Sequence, residues 1–220
     1  AVVSTLQSET VPGNQVLQGQ LNILGADSSA ITTIDPDATT LAASSFTRGR
    51  AIAADSFGNI YAGDSNRIVI MTPEGDVSDY VTGTLGIRNG MAIDDQNNIY
   101  AGTSNGLLKV TPDKEISFNN GMGAVNAVAI GKNNVMYAAT NSAVYKLADR
   151  ETPVLLTTSG LNSPQAIAVD AYENVYVLNR GNRISKINED GSVSDYYTEA
   201  RFEYEGVNLV ADCSRNLIFA

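Results

Sequence analysis

One segment recurs along this chain at nearly constant spacing, and that recurrence constrains the fold more than any other feature. Residues 59–61 (NIY) reappear at 98–100, a spacing of 39; Tyr137 follows 37 residues later and Tyr176 after another 39. The clearest copy runs from Ala51 to Gly83, AIAADSFGNIYAGDSNRIVIMTPEGDVSDYVTG. Upstream, Asn22, Asp27, Ile31 and Pro36 match Asn59, Asp64, Ile68 and Pro73. Downstream, Asp212 precedes Ile218 by six residues, as Asp55 precedes Tyr61 and Asp170 precedes Tyr176. A period near 40 with several strands per unit marks a radial or solenoidal array and outranks any local reading.

Each unit parses as four short strands. AIAAD is a small-residue apolar run suited to a crowded centre, SFG turns into NIYAG, RIVIM alternates, TPEG turns with Pro at its second position, and VSDYVTG lies outermost. Helical periodicity is absent. The expectation is an all-β, single-domain β-propeller over residues 1–220, with four-stranded antiparallel blades of about 37–40 residues, because radial stacking buries both faces and protects the edges. The repeats fall at 14–46, 51–83, 90–121, 126–160, 165–200 and 207–220. Six blades are expected, the last closed by residues 1–8, whose AVVSTLQS resembles the outer strands; a five-bladed ring or a truncated chain are the alternatives.

The residues that repeat have structural explanations. Tyr61, Tyr100, Tyr137 and Tyr176, with Leu24 and Ile218 in the same slot, suit packing between blades. Asp55, Asp94, Asp170 and Asp212 begin the first turn of each unit, where an Asp side chain caps the following amides. Gly131 stands in that position in the 126–160 copy, as a glycine able to meet the same turn geometry. The acidic RFEYEG at 201–206 reads as a solvated loop.

Composition then limits the chemistry. With 220 residues and 43% hydrophobic content the chain builds a core unaided. Fourteen basic against twenty-four acidic residues give a net charge of −10, which repels phosphate backbones and anionic lipid. No nucleic-acid partner and no membrane insertion are expected, and oligomeric state is left open. The one cysteine, Cys213, reads as a structural thiol. Histidine is absent, which removes Ser-His-Asp and Cys-His pairs and imidazole metal ligands. Abundant Ser, Thr, Asn and Gly, and a start that reads as a mature end, suit a secreted, periplasmic or cell-surface protein.

GxAxD-type starts, DxxxNIY turns and NRIxxxxPxG continuations resemble NHL repeats and, more distantly, the senescence-marker-protein-30/gluconolactonase family, over roughly residues 14–220. In such propellers ligands sit where the innermost strands converge. The position eleven residues before each tyrosine supplies a ring of Arg50, Asn89, Asn126 and Gln165, with Gly13 and Val207 at the degenerate ends and Arg48, Asn14, Gln15, Asn208 and Glu205 beside it. The amides either satisfy strand ends by hydrogen bonding or, with Arg50 as anchor, recognise a carboxylate or sugar.

The family resemblance implies one divalent cation such as Ca²⁺ at the channel mouth, and Glu205 and Asn89 are the positions that carry over as ligands. A second carboxylate is missing, and Arg50 brings a positive charge into the same ring. Streptogramin lyases have similar repeats, and that resemblance implies a catalytic histidine, which this sequence lacks. The resulting expectation is a cofactor-free NHL-like module that binds a protein or a small polar or anionic ligand through its faces or channel mouth. The alternative is a metal-dependent lactonase.

Overall fold

Short apolar runs broken every few residues by Gly, Asn, Asp or Pro favour short strands joined by tight turns. A computed structural model describes residues 2–4, 21–24, 30–34, 39–43, 50–131, 133–150, 152–181, 183–198, 209–211 and 217–219, and every regular element among them is a strand. They form five four-stranded antiparallel sheets and one two-stranded sheet, each from strands consecutive in sequence. These are blades of a β-propeller.

The first blade comprises Val2–Ser4, Leu21–Leu24, Ala30–Ile34 and Thr39–Ala43. The second comprises Ala51–Ala54, Ile60–Gly63, Arg67–Met71 and Val77–Thr82, and the third Ile87–Ile93, Ile99–Thr103, Gly106–Val110 and Ile116–Asn119. The fourth comprises Val125–Ile130, Met136–Thr140, Val144–Leu147 and Val154–Thr157, and the fifth Pro164–Val169, Val175–Asn179, Arg183–Ile187 and Val193–Tyr197. Leu209–Ala211 pairs with Leu217–Phe219 to begin another.

One expectation needs correction. Val2–Ser4 does not close the unit begun at 207–220; it pairs with Leu21–Leu24, Val2 opposite Leu24, as the first strand of the first sheet. A short β-branched run has the composition of inner and outer strands alike, so composition did not reveal its partner.

The opening strands of successive blades pack side by side, Ala51–Ala54 on Ile87–Ile93, then Val125–Ile130, then Pro164–Val169, then Leu209–Ala211. They line the axis, and small residues permit the crowding. A Cβ on Gly90 would lie 2.7 Å from the Cα of Ala127, so a larger residue there would push two inner strands apart. Between blades the packing is apolar. Tyr61 and Ile68 of the second blade join Ile87, Ile99 and Leu108 of the third; Tyr100 and Leu107 join Val125, Met136 and Leu147 of the fourth; Tyr137 and Val144 join Ile167, Val177 and Ile187 of the fifth.

The capping aspartates do more than cap. Asp55 Oδ1 accepts the N–H groups of Phe57 and Asn59, both at 2.9 Å, while Oδ2 accepts Asn59 Nδ2 at 2.8 Å and the Tyr61 hydroxyl at 3.2 Å. Asp94 repeats the pattern with Gln96, Asn98 and Tyr100, and Asp170 with Tyr172, Asn174 and Tyr176. Each knot fixes a turn and orients the tyrosine that fills the gap between blades. Asp94, its side chain fully enclosed, also forms an ion pair with Arg150 of the fourth blade, Oδ2 to Nη1 at 3.1 Å.

The fourth blade breaks the pattern, and for a reason other than turn geometry. Gly131 does not adopt a positive φ. Its missing side chain leaves room for the Glu173 carboxylate of the fifth blade, with which a Cβ at 131 would collide. Glu173 Oε1 accepts the N–H of Asn133 at 3.2 Å, so a carboxylate from the neighbour serves the turn that lacks its own. Glu173 itself holds φ 63, where the equivalent turn residues are Gly58, Asn97 and Asn134, types that tolerate the left-handed region better.

Two predictions follow from these knots. Burial works against ionisation of Asp170, but the bonds from Asn174 Nδ2, the Asn174 and Tyr172 N–H groups and the Tyr176 hydroxyl outweigh it and hold the carboxyl below its usual range. Its stabilisation is therefore complete above the ordinary Asp value of about 3.9 and is lost as pH falls through the lower folded-state value. Urea melts of Asp170→Asn should show a smaller loss of stability on acidification and a neutral-pH stability lower by ~1–3 kcal/mol. In a double-mutant cycle, Gly131→Asp alone should destabilise by ~2 kcal/mol or more, and Glu173→Gly should recover much of that loss.

Candidate functional site

The inner strands are irregular near their starts, and the irregularities fall on the ring positions. In the fourth blade the pairing steps from Ala127 opposite Ala139 to Val125 opposite Thr140, leaving Asn126 unopposed. In the fifth it steps from Ala166 opposite Leu178 to Pro164 opposite Asn179, leaving Gln165 unopposed. Asn89 lies in a wider irregularity between Ile87 and Met91. Such bulges re-aim a side chain that a regular strand would commit to one face. Arg50 precedes its strand, and its N–H donates to the Gly63 carbonyl at 3.0 Å. Three of the four ring residues thus belong to strands that start earlier than the sequence suggests, rather than to the loops before them.

Their side chains divide into two kinds. Asn126 is buried, and its Nδ2 donates to Asn141 Oδ1 at 2.9 Å and to the Pro164 carbonyl at 2.8 Å, fastening the fourth inner strand to the fifth. Gln165 Nε2 donates to the Ser163 carbonyl at 3.0 Å. These two amides hold backbone. Arg50 is exposed and Asn89 half-buried, and among the described residues neither side chain makes a hydrogen bond or ion pair.

Proximity follows the strand order. The Asn126 bond to Pro164 joins the fourth and fifth positions, the Gly90–Ala127 approach sets Asn89 and Asn126 on abutting strands, and Arg50 adjoins the strand packed on Ile87–Ile93. Glu205, Gly13, Asn14, Gln15, Arg48, Val207 and Asn208 lie outside the described residues, as do Asp212, Cys213 and residues 201–206. Among the described residues no group of three or more acidic or cysteine side chains is arranged to hold a metal. The described ring supplies amides and a guanidinium, whereas a hard cation prefers several carboxylate or carbonyl oxygens.

No family model and no curated protein matches the sequence. Solved structures do match in fold. Virginiamycin B lyase from Staphylococcus aureus is similar with TM-score 0.74 and 15% identity, over 93% of this chain and 74% of that one. A gluconolactonase from Xanthomonas campestris gives TM-score 0.74 and 12% identity, over 92% and 79%. A chain of a nidogen–laminin complex gives 0.69 and 12%, over 92% and 81%. The expected NHL-like, gluconolactonase-like propeller fold is thereby borne out. A form of the staphylococcal lyase with one histidine replaced by alanine is catalytically inactive.

The division among ring residues makes a prediction about stability. Asn126→Ala should lower stability by ~1–3 kcal/mol in denaturant melts, since it strips donors from buried acceptors. Arg50→Ala and Asn89→Ala should stay within ~0.5 kcal/mol of the unaltered chain.

Proposed function

We propose that this chain is an exported, six-bladed NHL-like propeller acting as a binding or assembly module, with its ligand-facing end at the channel mouth. One observation carries the reading. Asn126 and Gln165 are engaged in holding strands, whereas Arg50 and Asn89, at the same end of the inner strands, have no side-chain hydrogen bond or ion pair among the described residues. A guanidinium fork beside an amide suits a carboxylate, an acidic protein segment or another small polar or anionic ligand. The fold likeness to a component of a nidogen–laminin complex supports assembly as a use of this architecture. The pair Leu209–Ala211 and Leu217–Phe219 supports a sixth blade.

The second reading is a divalent-cation-dependent lactonase in which Glu205 and Asn89 hold one Ca²⁺-like ion. It is favoured by the likeness to a gluconolactonase. Chemistry of the histidine-dependent lyase kind has no matching group, because these 220 residues contain no histidine.

Metal analysis of protein purified without chelator, paired with a lactone-hydrolysis assay, separates the two. The module reading expects no stoichiometric metal and no turnover, together with loss of captured ligand in Arg50→Ala on glycan and peptide arrays. One equivalent of divalent cation that disappears in Glu205→Ala, with turnover lost alongside, would establish the lactonase instead.

A further inference from the structure

The outer strand of a blade ends its sheet, so alternate N–H and C=O groups along it face away and invite another strand. The second, fourth and fifth blades each interrupt that edge with a bulge: Tyr80 between Asp79 and Val81, Leu156 between Leu155 and Thr157, Tyr196 between Asp195 and Tyr197. The third does not. Ile116–Asn119 pairs residue for residue with Leu107–Val110, as Thr39–Ala43 of the first blade does with Ala30–Ile34.

Charge guards two of the bulged edges as well. Asp79, opposite Val69, pairs with Arg67 at 3.0 Å, and Asp195, opposite Ser185, pairs with Arg183. The register puts Phe118, opposite Leu108, in the place of those aspartates, and Gly106 stands where the arginines do. A Cβ on Gly106 would lie 2.2 Å from the Asn119 carbonyl oxygen, so an arginine has no room there. The third edge lacks both devices.

It exposes apolar surface instead. Ile116 is 41% exposed and Phe118 44%, and they share a face with Val110 and Leu108, which are fully buried. Ser117 and Asn119 occupy the opposite face, with Lys109 and Leu107. Val154 and Leu155 on the next outer strand are exposed too, so four of the seven exposed large hydrophobics among the described residues lie on this stretch of rim.

We infer that this chain dimerises through its third blade, two copies of Ile116–Asn119 pairing antiparallel about a two-fold axis at Ser117. The strand's own sequence argues for a second copy as the partner. In that register Ser117 meets Ser117, Ile116 of each copy meets Phe118 of the other, and Glu115 meets Asn119. Residues directly opposite share a face, so apolar meets apolar on one side and polar meets polar on the other. An aromatic ring against a β-branched side chain is a favourable cross-strand pair, and it forms twice.

Charges fit as well. Glu115 faces an amide, Lys114 faces Asn120, and no like charges stand opposite each other. Each copy brings one cation, Lys109, and one anion, Glu115, to the rows about Ser117. Moving the axis to lie between Ser117 and Phe118 would set those two against each other and lose both matches, so the register is specified. The product is one eight-stranded sheet made from two four-stranded ones. Such a pairing is closed, because it consumes the same edge of both copies. It lies on the rim and does not depend on the channel-mouth reading.

The test is the oligomeric state of the unaltered chain by sedimentation equilibrium. So short a paired edge makes a small interface, and a dimer is expected with a Kd of ~100 µM or tighter. Each copy carries a net charge of −10, and screening that repulsion should tighten the dimer several-fold as salt is raised. Phe118→Asp gives the third blade the residue of the second and fifth, and should weaken the dimer at least about tenfold. Position 117 alone meets its own copy. Ser117→Cys, in a chain also carrying Cys213→Ser, should therefore form an intermolecular disulfide with oxidised glutathione. Ser78→Cys, at the same place in the second blade, should not. A monomer throughout, a dimer loosened by salt, unaltered association in a folded Phe118→Asp, or equal cross-linking at 78 and 117 would each overturn the assignment. So would edge amides that gain protection from exchange only when another protein is added, which would give the edge to that partner. Sedimentation of the unaltered chain decides the matter even if a variant fails to fold.

Discussion

A carboxylate that gathers four hydrogen bonds in the first turn of a blade is the interaction on which the rest of this propeller depends. Left alone, an enclosed Asp would cost several kcal/mol in lost hydration. Two backbone amides, an Asn amide and a Tyr hydroxyl offset that cost, and the same donors fix where the chain goes next. The turn sets the departure of the second strand, the hydroxyl bond pins one end of the tyrosine, and its ring becomes part of the apolar layer shared with the next blade. Local hydrogen bonding and interblade packing are therefore one construction. Elevation of the Tyr61 proton affinity, caused by burial, then by the charge of Asp55 and the neighbouring Tyr80, keeps the phenol a donor to that carboxylate.

Crowding at the axis is the complementary constraint. Ala51, Gly90 and Ala127 let inner strands approach, and the bulges then turn Asn126 and Gln165 out of register at one end of those strands. An amide at such a position can hold a backbone or meet a ligand, and the geometry shows that Asn126 and Gln165 hold backbone. Arg50 is unlike its counterparts in charge, in exposure and in lying outside a bulge.

The sequence made the periodic features legible, because the knots and tyrosines recur at fixed spacing and each obeys a local rule. It did not reveal the bulges. An unopposed residue shifts the pairing between two strands, and spacing counted along a single strand does not register pairing, so the partners of Asn126 and Gln165 do not show in it. Glu173 was equally hidden, since its target turn lies in another blade and Gly131 alone suggests a backbone requirement. The third blade's outer strand, which pairs without a bulge, did leave a trace, the 37-residue interval after Tyr100, but a shorter repeat acquires meaning only once the neighbouring outer strands show their extra residue.

Glu173 also bears on how such a ring can be remodelled. Blades that carry their own aspartate satisfy their first turn from within and could be copied or exchanged as units. The fourth cannot, because the carboxylate for its turn belongs to the fifth. Deleting the fifth repeat would leave that turn unserved, and inserting a copy of another blade between them would set an Asx-capped turn where Gly131 expects an incoming side chain. Descent by duplication therefore has to treat these two blades as a single inherited block, a pair whose members have given up their independence.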